Sequence, residues 1–377
     1  MAGFQIKVWI VCSGLGHIQR GYESFTRECF DALKTEPSLK LRLFKGGGSD
    51  ASQETRLWNL PRHGYWGGKL GRWSGRGAYF VEQVTFFLSL LPWLIFKGPD
   101  VIYFSDGNLG NLLWQWRRIS RQRYKLLFSN GGPISPPFPR WDLVQQVVPS
   151  NYEAALAVGV SADRMALLPY GFKSASEWSP LTTSARAELR MALELPPERS
   201  IVLSVGALDA FHKRMDYVIR EVEALSASRP FLLLLGQWEA ESPAISALAT
   251  ELLGFDNFKL LTVPAEKMPS YYAVADIFVL ASLNEGFGRV YVEAALAGLR
   301  CVAHESPLTR YVLEGEPHCL INMQAKGALK SELGRLRLEP KEPATGEHIH
   351  SRAYARFGWD HLRAGYVAML RACAAQS

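Results

Sequence analysis

The chain has 377 residues, of which 48% are hydrophobic and 21% are charged, so it is long enough for two domain cores and is not of the disordered class. Its net charge of +6 is uneven, because residues 1–175 hold 21 Lys and Arg against 12 Asp and Glu, whereas the remainder holds 21 against 24. The basic first half is therefore expected to meet an anionic partner, such as a membrane surface or a phosphate-bearing acceptor.

The five cysteines are scattered and form no Cys-x-x-Cys pair, which argues against a zinc site or a disulfide framework. No signal-peptide pattern precedes residues 4–11, which have the composition of a first strand. Both observations predict a cytoplasmic protein. The basic first half adds the inner face of a membrane as an expected place of peripheral contact.

Glycines follow the first strand, where a dinucleotide-binding fold places its phosphate loop. After Gly14 and Gly16 the third glycine of that fingerprint should fall three residues on, but the chain has Gln19 there and its next glycine is Gly21. No acidic residue ends the second strand to bind a ribose, since Glu36 precedes that strand. The sequence therefore does not favour NAD as a cofactor.

Three further stretches of the first half are unusual. Residues 46–77 are rich in Gly, Arg and Trp and are predicted to form a long irregular excursion that binds something. Residues 84–96 are apolar but contain Pro92 and are too short to span a bilayer, so a buried helix is favoured and a membrane-surface helix is the alternative. A helix at residues 114–125 interleaves aromatic with basic residues, which suits single-stranded nucleic acid, anionic lipid headgroups or, as the favoured interpretation, a solvated face.

A buried strand at residues 201–206 opens a second series of alternating strands and helices. Lys213 and Arg214 stand at the start of the helix that follows. Because a helix start disfavours cations, a bound anion explains this pair better than a plain basic helix start.

The most informative stretch is a strand at residues 275–282 followed by a glycine-containing loop and a helix, together residues 284–298. A helix start offers free N–H groups and partial positive charge to a phosphate. Glu285 and Glu293 flank this start, and carboxylates accept hydrogen bonds from hydroxyls. Phosphate and polyol together indicate a sugar nucleotide, and the alternative is an ordinary unit in which both glutamates are solvated.

The spacing of Glu285 and Glu293, with Glu-Gly-Phe-Gly and Glu-Ala-x-x-Ala-Gly around them, resembles the Glu-x7-Glu signature of retaining glycosyltransferases of family 4, which include bacterial mannosyltransferases and sucrose synthases. The resemblance is strong over residues 200–320 and weaker but collinear over residues 1–172. Residues 169–173 resemble the Pro-Asn-Gly-Val-Asp junction of that family.

The resemblance implies an α/β fold of GT-B architecture, with two Rossmann-like domains facing each other across a cleft. An acceptor-binding domain would cover residues 1–172 and a nucleotide-sugar donor-binding domain residues 173–350, with a last helix at 351–377 packing back on the first domain.

By the same resemblance, Lys213 holds the donor diphosphate, Glu285 the sugar hydroxyls and Glu293 the ribose hydroxyls. Arg214 is a candidate to supply the charge of the family's arginine, which is Ala207 here. The implied donor contacts are Gly21, Lys213, Arg214, Val263, Glu285, Phe287, Gly288, Arg289, Val290 and Glu293.

On the acceptor side the resemblance implies contacts from Glu23, Asp106 and Asn130. Family members often place a histidine in one of two loops of the first domain, where this chain has Asn130 and Ser105–Asp106. Asp106 is the only carboxylate in either loop and becomes the candidate acceptor contact or proton acceptor. The implied catalytic set is Glu285, Lys213 and Asp106.

The implied reaction moves a hexose from a UDP- or GDP-linked donor to an acceptor hydroxyl on a glycan, a lipid-linked sugar or a small molecule, with retention of configuration. No Asp-x-Asp motif lies between the two series of strands, so no metal and no cofactor beyond the donor is expected, and no nucleic-acid partner. Two alternatives remain open: an epimerase or phosphorylase on the same fold, and a non-catalytic binder of sugar nucleotides or nucleic acid.

Overall fold

The computed structural model describes residues 5–18, 20–226, 229–315, 317–337 and 343–376. Its contacts divide the chain into two compact units, Met1–Lys173 with Trp359–Ser377, and Ser174–Gly358. Each unit is a parallel β-sheet whose strands are joined through helices, as parallel pairing requires.

The first unit has a seven-stranded sheet in the order β3-β2-β1-β4-β5-β6-β7, and the paired strands are parallel. The central strand β4 is buried along its whole length, as a strand covered on both faces should be. The strands are β1 Ile6–Cys12, β2 Leu39–Lys45, β3 Glu54–Arg56, β4 Val101–Phe104, β5 Lys125–Asn130, β6 Leu143–Gln146 and β7 Met165–Leu167. The helices are α1 Gly21–Leu33, α2 Tyr65–Ser74, α3 Gly77–Lys97, α4 Gly107–Ser120, α5 Pro149–Ala157 and the last helix, α14 Trp359–Ala374.

The second unit has a six-stranded parallel sheet in the order β10-β9-β8-β11-β12-β13. Strands β8, β9 and β11 are fully buried and consist almost wholly of Ile, Val, Leu and Phe. The strands are β8 Ile201–Val205, β9 Phe231–Leu235, β10 Phe258–Leu261, β11 Ile277–Leu280, β12 Arg300–His304 and β13 Cys319–Ile321. The helices are α6 Thr183–Ala192, α7 Met215–Glu223, α8 Ser242–Leu253, α9 Met268–Val274, α10 Arg289–Leu296, α11 Pro307–Val312, α12 Ala328–Arg337 and α13 Pro343–Phe357.

The prediction of an irregular excursion at residues 46–77 is wrong. This segment contains β3, which extends the sheet beyond β2, and the ten-residue helix α2. Gly67 and Gly71 lie against neighbouring backbone, where an added Cβ would stand 2.3 Å from the Pro61 carbonyl oxygen and 2.4 Å from the Ala78 nitrogen. The glycines that suggested a loop instead let a helix lie close to the protein.

The apolar run at residues 84–96 is helical, but the helix is longer than predicted. Helix α3 has 21 residues and continues through Pro92. Within the described parts of the chain it is the one helix whose length and hydropathy would suffice to cross a membrane, and 39% of its most apolar window is buried. Phe86, Leu90 and Leu94 are fully buried in the core of the first unit, whereas Leu88 and Phe96 are 55% and 82% exposed, so only one face of the helix is buried as the favoured interpretation predicted.

The C-terminal segment is not one helix from residue 351 to 377. Helix α13 ends at Phe357 and belongs to the second unit, and α14 begins at Trp359 and belongs to the first. His350 is 2% exposed, and its Nδ1 lies 2.6 Å from the Leu296 carbonyl oxygen, because α13 packs on α10.

Candidate functional site

Lys213 and Glu285 meet in the second unit. Lys213 follows β8 and Glu285 follows β11, and these two strands are neighbours in the parallel sheet, so both loops leave the same edge. Lys213 Nζ and Glu285 Oε1 form an ion pair, with 15% and 11% of the two side chains exposed. The predicted neighbourhood of these two residues is thus present within one unit.

Asp209 orients the loop that carries Lys213. Its Oδ1 accepts hydrogen bonds from the backbone N–H groups of His212 and Lys213, both at 2.7 Å. The Lys213 stem lies over Gly206, where an added Cβ would stand 2.9 Å from Lys213 Cγ. The ammonium group is therefore carried by a loop with fixed hydrogen bonds and by a stem resting on bare backbone.

Arg214 contacts protein backbone rather than the Lys213–Glu285 pair. Its Nη1 donates to the carbonyl oxygen of Met323 at 2.8 Å, and its guanidinium lies 4.5 Å from the centre of the Tyr217 ring. Whether it stands in for the arginine replaced by Ala207 stays a prediction.

The loop after β11 delivers a helix start beside Glu285. Gly288 is the N-cap of α10 with φ of 70°, a left-handed conformation that favours glycine. An added Cβ would lie 2.6 Å from the Tyr291 ring. No side chain caps this helix start, and uncapped N–H groups are what a phosphate binds.

Glu293 lies one turn along α10. Its Oε2 accepts a hydrogen bond of 3.0 Å from the Tyr272 hydroxyl, and its Oε1 is 3.6 Å from Arg289 Nε. Burial, with the Glu293 charge beside it, raises the pKa of Tyr272, so that hydroxyl stays protonated and donates. With 31% of its side chain exposed, Glu293 retains access to a ligand.

The remaining predicted donor contacts differ in accessibility. Phe287 is 3% exposed and packs edge-on against Phe357 at 5.9 Å, so its side chain belongs to the core. Arg289 is also buried, Val290 is half-buried at the start of α10, and Val263 is half-buried in the loop after β10, two strands from β8.

The first unit holds a cluster of polar side chains at the carboxyl ends of β1 and β4. Ser13 follows β1 and donates to Glu82 Oε1 at 2.9 Å, and Asp106 follows β4 and accepts a hydrogen bond from the Tyr79 hydroxyl. Arg62 donates to Glu82 through Nη2 at 2.7 Å and through Nε at 3.0 Å. We call this group the Asp106 cluster; its members are Ser13, Glu23, Arg62, Tyr79, Glu82 and Asp106.

The three carboxyl groups of the Asp106 cluster differ in the direction of their pKa shifts. Burial raises the pKa of Asp106 and of Glu23, although the charge of Arg62 opposes the rise at both. At Glu82 burial also acts to raise the pKa, but the hydrogen bonds from Arg62 outweigh it and lower the pKa. Glu82 therefore pairs with Arg62, and Asp106 is a carboxyl group whose charged form is disfavoured, as expected of a proton acceptor.

The other predicted residues of the first unit are placed as follows. Glu23 is buried, with Oε1 3.7 Å from Arg62 Nη2, and Gly21 begins α1. Asn130 is 1% exposed. Its Nδ2 donates to Gln146 Oε1 at 3.0 Å, and its Oδ1 accepts a hydrogen bond of 2.7 Å from the Ile134 backbone N–H, so these contacts hold its own loop. Its role toward an acceptor stays a prediction.

Several residues of both groups were not identified from the sequence. Glu82 could have been suspected, because a lone acid inside an apolar helix needs a buried partner. Asp209 stands in a loop after a strand, just before Lys213, which is a similar signal. Arg62 and Tyr79 gave none, since each is far from Asp106 in the chain. Among the described residues, no group of three or more His, Cys, Asp or Glu could hold a metal ion.

Part of the second unit matches a known protein family. Residues 199–337 match the family model described as glycosyl transferases group 1. The chain is similar to the D-inositol 3-phosphate glycosyltransferase of Acidothermus cellulolyticus, with 28% identity over 228 residues, which are 56% of this chain and 49% of that protein. The chain spans about half the length of the curated relatives it matches.

Solved structures resemble the whole chain. Sucrose-phosphate synthase from Thermosynechococcus elongatus superposes with a TM-score of 0.77 at 21% identity, covering 99% of this chain and 100% of that one. Anabaena HepE in complex with UDP-glucose gives a TM-score of 0.74 at 16% identity, covering 97% and 100%. The predicted fold class, two Rossmann-like α/β domains of the GT-B type, is confirmed, as is the likeness of the second unit to glycosyltransferases; membership of family 4 stays a prediction.

Proposed function

We propose that this chain, which carries a glycosyl transferases group 1 domain in its second unit, transfers a hexose from a nucleoside-diphosphate sugar to an acceptor hydroxyl with retention of configuration. The observation that carries the proposal is the meeting of Lys213 and Glu285 beside the uncapped start of α10. The UDP-glucose bound by Anabaena HepE, a protein of the same fold, supports this donor class.

The chemistry follows from charge. As the bond between the anomeric carbon and the diphosphate oxygen breaks, negative charge grows on the leaving group, and a new bond joins that carbon to the acceptor oxygen, which loses its proton. Lys213 and the N–H groups at the start of α10 stabilise the leaving diphosphate. Glu285 then turns from its ion pair to the sugar hydroxyls, and Glu293 binds the ribose hydroxyls.

The Asp106 cluster is the proposed acceptor site of the first unit. Asp106 contacts the acceptor hydroxyl or takes its proton, and Glu23 contacts the acceptor beside it. The transfer needs no metal, because Lys213 and the helix start provide the positive charge. Activity should therefore persist in EDTA. The protein would work in the cytoplasm.

The test is donor consumption by the full chain. UDP- and GDP-sugars are screened by thermal shift, and release of the nucleoside diphosphate is then followed with and without candidate acceptors. We expect acceptor-dependent release, a product of retained configuration by NMR, and loss of about 10²–10³ in kcat for Lys213→Met. Lys267→Met, an exposed lysine of the same unit, is the matched control. Lack of nucleotide binding, or formation of sugar phosphate from inorganic phosphate, would contradict the proposal.

A further inference from the structure

Helix α2 exposes its large aromatic side chains and buries its glycines, the reverse of an ordinary surface helix. A helix on a soluble protein buries its large apolar side chains and exposes its polar ones. In α2 the buried residues are Gly67 and Gly71, whereas Tyr65, Trp66 and Trp73 are 72%, 58% and 86% exposed. The glycines seat the helix on the protein, and the aromatic side chains point away from it.

The segment that contains this helix carries charge of a single sign. Residues 55–81 contain no Asp or Glu and five Lys or Arg. Lys69, Arg72 and Arg76 are exposed among the aromatic side chains, and Lys69 Nζ lies 5.4 Å from the Trp66 ring. The outer face of α2 is therefore an apolar, aromatic surface rimmed with cations.

The helix behind it is fixed in the first unit. Helix α3 buries Phe86, Leu90 and Leu94 in the core, and its Glu82 is fully buried and bonded to Arg62. Extracting α3 into a bilayer would break these contacts and expose a carboxylate to hydrocarbon. The arrangement therefore fits contact of the first unit with a membrane surface better than α3 crossing the membrane.

We propose that the outer face of α2, formed by Tyr65, Trp66, Lys69, Leu70, Arg72 and Trp73, docks on an anionic lipid bilayer. Trp and Tyr side chains prefer the level of the headgroups, because the ring is apolar whereas its N–H or O–H group stays hydrated there. Each Lys or Arg near an anionic bilayer adds electrostatic attraction. A short amphipathic helix with both features lies in the plane of the interface.

The position of α2 in the chain links this surface to the Asp106 cluster. Arg62 precedes α2, and Tyr79 lies in the first turn of α3. Both side chains contact carboxylates of the Asp106 cluster. Docking therefore holds the membrane near the proposed acceptor site, which suits an acceptor whose hydroxyl is attached to a lipid. This last consequence rests on the proposed function, whereas the docking itself does not.

The test is co-sedimentation of the full chain with vesicles, with neither donor nor acceptor present. We compare vesicles of phosphatidylcholine with vesicles containing about 30 mol% phosphatidylglycerol. The chain should bind the anionic vesicles, and binding should weaken as salt rises from about 50 to 500 mM. Since no sugar transfer is measured, failure here is distinguishable from failure of the proposed function.

Two variants separate the apolar from the electrostatic contribution. Trp66→Ser/Trp73→Ser and Lys69→Glu/Arg72→Glu should each lower the vesicle partition coefficient at least about tenfold. These residues are exposed, so the variants should melt like the wild type. Bromine-labelled lipid should quench tryptophan fluorescence in the wild type and quench it less in the tryptophan variant.

Matched controls lie in the second unit. Trp238→Ser removes a tryptophan that is 56% exposed, and Lys326→Glu/Lys330→Glu reverses two exposed lysines. Both should keep wild-type vesicle binding. Equal losses in variants and controls would overturn the proposal. Absence of vesicle binding would also overturn the proposal, even if the α2 variants changed the oligomeric state or RNA binding.

Discussion

Glu293 is held by neighbours that leave it available to a ligand. Tyr272 donates to one carboxylate oxygen, and Arg289 lies beside the other. These contacts fix the direction of the carboxylate without closing it off, since 31% of the side chain is exposed. Such a group is suited to accept hydrogen bonds from a pair of ribose hydroxyls.

Replacing Glu293 by Ala should weaken donor binding by about 1–3 kcal/mol, the scale of hydrogen bonds to a charged group. Tyr272→Phe keeps the carboxylate and loses only the bond that orients it, so it should cost less. Isothermal calorimetry with the nucleotide measures both, and Glu251→Ala, an exposed acid on α8, is the control. Unchanged affinity in Glu293→Ala would remove this residue from the donor site.

Asp106 links the proposed acceptor site to the pH dependence of stability. Burial raises its pKa in the folded chain above its ordinary value of 3.8. Between these two values the folded chain holds a proton that the unfolded chain has released. The free energy of unfolding contributed by Asp106 therefore falls as pH rises through that window.

Asp106→Asn cannot ionise, so its stability should fall less than that of the wild type over this window. The measurement is the unfolding midpoint by circular dichroism at a series of values from about pH 4 to 7. Asp31→Asn, an exposed residue of α1, makes the same change of charge on the surface and serves as the control. A wild-type slope in Asp106→Asn would mean that Asp106 is ionised in the folded chain throughout.

At the scale of elements, the start of α10 depends on one backbone conformation. Gly288 turns the chain from the loop into the helix with positive φ, and the Tyr291 ring occupies the place of a Cβ. A side chain here would strain the turn and displace the N–H groups that are proposed to hold the diphosphate.

Gly288→Ala should therefore lower the free energy of unfolding by more than about 1–2 kcal/mol, the cost of the left-handed conformation alone. It should also weaken nucleotide binding. Gly327→Ala is a matched control, because Gly327 has φ of 82° with no atom within 4 Å of the added Cβ. Urea unfolding and calorimetry compare the two; equal losses and unchanged nucleotide affinity would show that the start of α10 tolerates a side chain.

At the scale of the whole molecule, α14 belongs to the first unit although it follows the second unit in the sequence. Trp359 begins α14. Its backbone N–H donates to the Phe172 carbonyl oxygen at 3.3 Å, and its ring packs near Phe25 and Tyr366. Two residues earlier, Phe357 packs on Phe287 in the second unit. The two aromatic residues thus stabilise different units.

Trp359→Ala and Phe357→Ala should each cost about 3–5 kcal/mol, the usual loss for a large buried aromatic side chain. By calorimetry the first variant should lower the unfolding transition of the first unit and the second that of the other. Nucleotide should raise only the transition that Phe357→Ala lowers. A single transition lowered alike by both variants would show that the units unfold together.

The sequence by itself determined what is local. Alternating buried strands and helices predicted two α/β units, and the stretch from residue 275 to 298 predicted a strand, a helix start and two flanking acids. A phosphate seat of this kind is built from residues adjacent in the chain, so its pattern survives without knowledge of the fold. The joint role of Lys213 and Glu285 was implied by the family resemblance, whereas their approach depends on β8 and β11 being neighbours, which only the structure shows.

Only the tertiary structure decided what depends on distant segments. Arg62, Tyr79 and Glu82 join Asp106 through contacts that no spacing predicts. The buried glycine face of α2 looked like a loop, because glycine favours turns unless neighbouring backbone occupies the space of its Cβ. Burial of His350 and the break between α13 and α14 were likewise set by what each helix packs against.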